Sequence, residues 1–396
     1  MTDADPAQGA NEEVRLGDSP SFWRFVPVAD YQRPELPASG AVAYFWDGMK
    51  RRLGFSRSPS AGTTHDRDTL PPLPEERRKP LVPAIETGRA ADALDTALHD
   101  WLTVRPADQP IRFVVEQPHA HPGLLPAWAV RHGAVLIDPP APERILAGDL
   151  DWLDQWPRED GSSALWVLPR LAHCYLRHPE GLRLVRTLLA CAEAGELGRG
   201  VIGCDSWAWA YLDHLWPLQQ SAALTIQAFD GNRLARLLQA GITPPGQALG
   251  FCDARTGEEI LRLPPDGTEL HPDIRQLAAH SRGNPGIALA AWRRSLHSEP
   301  HEGAIQADDD NGKCDDGETV WFSAPRDEPV LDGAADDDVA LLLHALLLHD
   351  GLPASLLPTL LPLTHDQCQA TLLRLQREGL VEPIGPRWFV TASGYP

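Results

Sequence analysis

Apolar runs of buried-strand length, alternating with helical stretches, predict a doubly wound, mostly parallel α/β sheet for the middle of this 396-residue chain. Three observations carry the prediction. Four such runs, Ile111–Val115, Ala164–Leu168, Gly200–Cys204 and Leu224–Phe229, are each followed by a helical pattern. They are mostly apolar, as strands covered on both faces are. Hydrophobic residues make up 43% of the chain, with 13 Trp, which is enough to fill real cores.

Taken in order, residues 1–20 are polar and acidic and are expected to be disordered. Residues 21–56 change character, with Phe22-Trp23-Arg24-Phe25, Tyr31, Tyr44-Phe45-Trp46 and Lys50-Arg51-Arg52. Residues 57–80, rich in Pro and mixed charge, read as a linker. The α/β core is assigned to 81–240, opening with a helix around Ala90–Trp101. Residues 241–300 offer two short strands around Arg255-Thr256-Gly257-Glu258, read as an inserted hairpin, and then a helical unit. Residues 301–337 are an acidic loop. Its Asp308–Glu318 run fails the calcium-loop spacing, because Gly312 or Gly317 at the sixth position puts Ala307 or Gly312 at the first ligand. Residues 338–396 have winged-helix rhythm: helices Val339–His349, Ala354–Leu361 and Thr364–Glu378, then a hairpin across Gly385-Pro386. Thr364 with Gln367 is a capping-box pair.

The first strand runs into Glu116-Gln117-Pro118-His119-Ala120-His121-Pro122-Gly123-Leu124. A phosphate loop at such a strand-to-helix turn reads G-x-x-x-x-G-K-S/T, so that backbone amides, a Lys and a hydroxyl hold phosphates and metal. Counted on that template, Gln117 and Pro122 stand for the glycines, Gly123 for the Lys and Leu124 for the hydroxyl. Pro118 and Pro122 also remove two backbone donors. Further on, His280-Ser281-Arg282-Gly283-Asn284-Pro285-Gly286 opens a helix that ends in Arg293-Arg294. With the strand pattern, this resembles the AAA+/STAND-type P-loop ATPases, over roughly residues 83–298. The resemblance implies a P-loop-NTPase-like sheet, a lid helix opened by Gly283-Asn284-Pro285, and a sensor position at Asp205 or Ser206. It also implies cleft-facing basic residues at Arg293, Arg294 and Arg177-His178. The Walker B strand should end in two carboxylates for metal and water; here it ends in Pro169-Arg170. Both nucleotide motifs are therefore degenerate at their own places.

Plainer accounts stand beside these. A doubly wound domain that was never an ATPase also lacks the motifs. Asp205 or Ser206 suits a helix cap, with Trp207 and Trp209 packing the core, and the arginines suit solvent. His119 and His121 have no identifiable third metal ligand, so no metal is expected. Gly203-Cys204-Asp205-Ser206-Trp207 does not fit the G-x-S-x-G elbow of a hydrolase.

A net charge of −20 argues against general affinity for nucleic acid or anionic membrane. The third winged-helix helix sets Arg374 and Arg377 against Asp366 and Glu378, so protein contact is expected there rather than DNA. No basic-apolar leader opens the chain, and Val339–Leu348 is too short to span a bilayer. Six cysteines without C-x-x-C spacing read as reduced thiols in a cytoplasmic protein. The aromatics Phe22, Trp23, Phe25, Tyr44, Phe45 and Trp46 are the expected partner-binding element, with docking back onto the chain's own α/β domain as the equal alternative, and residues 44–55 would also suit a membrane-surface helix. The expectation is a catalytically inactive ATPase homologue, without a cofactor, serving protein interaction or regulation. ATP binding without hydrolysis and a DNA-binding regulator are the alternatives; the oligomeric state is left open.

Overall fold

The computed structural model describes residues 22–34, 70–104, 109–120, 123–156, 164–218, 222–241, 249–262, 270–299, 318–324 and 337–395. Six strands build the central sheet: β1 (Phe25–Pro27), β2 (Ile111–Glu116), β3 (Val135–Leu136), β4 (Trp166–Leu168), β5 (Gly200–Asp205) and β6 (Ala223–Ile226). Their spatial order is β1-β6-β2-β5-β4-β3. β2 to β6 run parallel, and β1 joins antiparallel at the edge. The fold is thus mixed α/β with a mainly parallel sheet.

Both faces are covered, which is why the strands read as mostly apolar runs. Side chains alternate across a strand. Ile111, Phe113, Val115, Ile202 and Cys204 belong to one hydrophobic cluster, with the helices Arg183–Glu193 and Ser206–Leu215. Val114, Val167 and Val201 belong to the other, with the helices Thr87–Val104, Leu124–His132 and Gly231–Gly241. A pair of helices, Pro272–His280 and Pro285–Arg294, extends this second cluster.

The C-terminal unit has helices Asp337–Leu348, Leu357–Leu360 and His365–Arg377. A three-stranded sheet follows, β10 (Leu352–Pro353), β12 (Arg387–Val390) and β11 (Val381–Ile384) in spatial order. Thr364 and Gln367 form the capping box. Val339, Leu342, Leu346, Leu372, Leu375 and Val390 share the first cluster with the central sheet, so this unit packs on the core.

Several expectations need correction. Trp23 and Phe25 are not a free partner-binding element: they are 3% and 8% exposed, and β1 pairs with β6 through Phe25↔Ile226, Val26↔Thr225 and Pro27↔Leu224. An aromatic pair that can bury itself on its own domain does so, because exposure costs about 1.5–3 kcal/mol per large side chain. Phe22 packs beside them, 6.2 Å from Phe229. Tyr44, Phe45 and Trp46, with the rest of 44–55, lie outside the described residues. From Leu70 on, the expected linker is part of the fold: Leu70 and Leu73 are buried, and the Leu73 N–H donates to Leu296 O at 3.2 Å.

The helical pattern expected after Ala164–Leu168 is broken at its start. A 3-10 turn, Leu171–Cys174, ends in extended Tyr175, and the α-helix starts only at Arg183. Pro179 explains the break, since it removes an amide donor and restricts His178 before it. The expected hairpin is only partly formed. β7 (Leu249–Asp253) turns back at Gly257 to a single bridge, Cys252↔Glu259. β7 belongs instead to a second sheet, lying parallel to β9 (Glu318–Phe322), which pairs antiparallel with β8 (Leu296–His297). β9 falls inside the expected acidic loop, where Trp321 and Phe322 are buried; the remaining Asp-rich run is outside the described residues. Cys252 is disulfide-bonded, so the expectation of six reduced thiols fails there, while Cys174, Cys191, Cys204 and Cys368 are free. No helix among the described residues is long and apolar enough to cross a membrane.

Candidate functional site at the carboxyl ends of the strands

In open α/β sheets ligands enter at the carboxyl ends of the strands. Here β2 and β5 are neighbours, and their last register pair is Glu116↔Asp205. Two acidic residues therefore stand side by side on adjacent strands, whose backbones run about 4.8 Å apart. Arg170 follows the end of β4 and faces both electrostatically. A cavity of about 500 Å³ opens over these residues. Its far wall is the C-terminal unit, including Leu346, Leu347, Asp350, Glu382 and Phe389.

Burial pushes Glu116 up to about 8, against the pull of Arg170 and with the repulsion of Asp205. Its Oε1 is shut off from solvent and has no hydrogen-bond partner among the described residues. Burial likewise pushes Asp205 up to about 7, held back by the Trp207 amide and then by Arg170. Asp205 also caps the helix Ser206–Leu215, accepting from the Trp207 N–H at 2.8 Å.

The C-terminal unit closes over this end through polar contacts as well as packing. Arg170 pairs with Asp350. Arg387 Nη1 lies 2.8 Å from His173 Nε2, which also lies 3.1 Å from the Asp350 carbonyl. Burial and the Arg387 and Arg170 charges depress His173 to about 3. His349, depressed to about 3 chiefly by burial, takes the Arg177 amide at 3.3 Å. The Tyr175 hydroxyl donates to Leu348 O at 2.9 Å. Trp207, 36% exposed, reaches the Tyr395 hydroxyl at 3.4 Å and sits edge-on to His344. Trp209 instead packs in the core against Phe113.

On the opposite side of the β2 loop, the helix Pro285–Arg294 is tied to that loop. Asn284 caps its helix, with Oδ1 accepting from the Gly286 and Ile287 amides at 3.0 and 3.2 Å. Its Nδ2 donates to Pro118 O at 2.7 Å. Gly286 touches the loop so closely that a Cβ there would overlap the His119 carbonyl. His119 itself takes a left-handed backbone, φ 64°. The space between this loop, β6, Gly283 and Pro285 is only about 10 Å³, at the lower limit for one ordered water. Gln117 spans it, donating to the Tyr31 hydroxyl at 2.5 Å.

The structure thus gathers Gln117, Pro169, Arg170 and Asp205 around the large cavity, and Gly283 and Pro285 around the small one. Ser206 and Trp207 meet Tyr395. Arg293 does not face the cleft; it pairs with Glu75. Burial lowers Arg294. Gly123 has φ 84° and leads into Leu124, which is 1% exposed in the core; Pro122 is outside the described residues. Sequence reasoning missed Glu116, His173, His349, Asp350 and Arg387. Glu116 carried a signal, a charge closing an apolar strand; the others become visible only when the two units meet. Among the described residues no group of three or more His, Cys, Asp or Glu could hold a metal ion.

No family model and no curated protein matches this chain. Among solved structures it is similar to the Aeropyrum pernix ORC2 protein, determined in ADPNP–ADP complexes, at 14% identity and a TM-score of 0.33. The likeness covers 82% of this chain and 92% of that one.

Proposed function

We propose that this chain is a catalytically inactive AAA+/STAND-like ATPase homologue that acts as a protein-interaction or regulatory module, its C-terminal unit a winged helix. One observation carries the reading: the loop that would cradle phosphates is spent on structure, tied by Asn284 to the lid and pressed against Gly286. The groups for phosphate and metal are replaced by Gly123, Leu124 and Pro169-Arg170. Arg170, standing where a metal-binding carboxylate belongs, pairs with Asp350 and helps hold the C-terminal unit in place. The pocket that remains is acidic, which repels a triphosphate.

Protein rather than DNA is favoured as partner by the outer face of the helix His365–Arg377. That face shows Leu373, 45% exposed, among Asp366, Arg374 and Glu378. An apolar side chain with balanced charges suits a protein surface better than a phosphate backbone.

Titration calorimetry of the full chain with magnesium ATP and with ADP tests the reading. The expected result is no saturable heat up to about 1 mM nucleotide, and no phosphate release above a blank. Saturable ATP binding without turnover favours the non-hydrolysing switch. Turnover that copurifies with the protein and disappears on replacing residues 117–124 overturns the proposal.

A further inference from the structure

We propose that the cavity of about 500 Å³ between the α/β core and the C-terminal unit is a binding site for a small organic cation, an ammonium or guanidinium on a short aliphatic stem. The inference does not depend on the ATPase ancestry proposed above; it rests on the walls of the cavity. Four carboxylates line it, Glu116, Asp205, Asp350 and Glu382, against one guanidinium, Arg170. Asp350 takes that guanidinium, and Asp205 is partly satisfied by the Trp207 amide.

Glu116 is left over. Its Oε1 lies in the wall, shut off from solvent, with no donor among the described residues to satisfy it. A buried acceptor without a donor costs about 1–3 kcal/mol, more if charged, so a ligand bringing N–H groups gains there what the empty site lacks. Opposite Glu116 and Asp205, the C-terminal wall adds the apolar Leu346, Leu347, Ile384 and Phe389. That half suits methylene groups and not a fully hydrated ion. The volume falls in the range of small-molecule pockets, about 300–1,000 Å³. Charge excludes phosphates and carboxylic acids, and the apolar half disfavours a bare divalent metal.

Binding must move protons. Glu116 is pushed up to about 8 by burial and Asp205 to about 7. The charged groups facing them are Arg170, Asp350 and Glu382, with His119 held neutral by burial. A cation seated between the carboxylates favours their ionised forms, so at about pH 7.5 binding releases protons into the buffer.

The test is calorimetry on the full chain at about pH 7.5, in phosphate and in Tris, with agmatine and putrescine as probes. Butyrate and magnesium chloride serve as opposite-charge and bare-cation controls. The expected result is saturable binding of one amine per chain, with heats that differ between buffers because protons are released, and no butyrate binding. Glu116→Gln keeps the shape of the site and should weaken the amine by about tenfold or more. Glu382→Gln is exposed and cannot threaten folding; it should weaken binding by a few fold. Saturable binding of magnesium alone, or of neither amine, overturns the proposal. So does amine binding that Glu116→Gln and Glu382→Gln both leave unchanged, or whose heat is the same in both buffers.

Discussion

Replacing Trp23 by Ala should unfold the α/β core at a clearly lower temperature, although its sequence context looks like a tail. Trp23 is 3% exposed, 5.0 Å from the Phe229 ring in edge-on contact and 5.7 Å from Phe22. Removing a buried Trp costs about 3–5 kcal/mol. β1 cannot hold without it, because it is three residues long and pairs only with β6, aided by the Gln227 N–H to Arg24 O bond at 2.8 Å. At about 2–4 °C per kcal/mol for a domain of this class, the midpoint should fall by about 6–20 °C. The assay is differential scanning calorimetry of the full chain, with Trp207→Ala as control. Trp207 is 36% exposed and its loss should cost about 1 kcal/mol or less. A shift below about 2 °C for Trp23→Ala would mean that β1 is not an integral strand. Removal of residues 1–34 should lower the midpoint at least as far.

Gly286→Ala forces a Cβ onto the His119 carbonyl and should cost about 1–3 kcal/mol by overpacking; a neutral effect in urea unfolding would show that the helix Pro285–Arg294 and the β2 loop are not tied. Stability against pH should be flat between about pH 4.5 and 6.5. Glu116 and Asp205, raised to about 8 and 7, take up protons on folding, while His173 and His349, depressed to about 3, give them up. The two effects cancel in that window. Raised carboxylates lose their contribution as pH climbs from about 4 to 8, uncompensated above about 6.5, and depressed histidines lose theirs as pH falls from about 6.5 to 3. Glu116→Gln should flatten the alkaline limb measured by urea midpoints, and an unaltered limb would refute the assignment. Arg374→Ala with Arg377→Ala should leave DNA association unchanged in a gel shift at low salt. A salt-dependent complex abolished by that pair would favour the DNA-regulator alternative.

The parallel strands were legible because a strand covered on both faces leaves a run such as Ile111–Val115 with no polar break beyond Arg112. The capping box at Thr364 and the chain reversal at Gly257 were legible because their chemistry is local. β1 and β9 were not, since each is short and gains its place only from partners far along the chain: β6 is about two hundred residues from β1 in sequence. Half of the cavity was hidden for the same reason. Glu116, Arg170 and Asp205 could be placed at strand ends from sequence alone. Asp350 sits in a turn with φ 47° beside Gly351, and nothing local says that it meets Arg170. Arg293 misled because a resemblance gives a position on a helix and not a rotation; Glu75 captures it.

Glu116 ends β2, Asp205 ends β5 and Arg170 follows β4, so two carboxylates and one guanidinium share the strand ends. Arg170 also pairs with Asp350, in a turn of the C-terminal unit. The exposed half of that ion pair contributes about 1 kcal/mol or less, so the docking rests on the shared apolar cluster of Val339, Leu342, Leu346 and Val390. The charges instead fix where the unit sits. A ligand or proton that changes the charge on Glu116 or Asp205 acts on the same Arg170 that Asp350 holds, which ties the state of the pocket to the seating of the C-terminal unit.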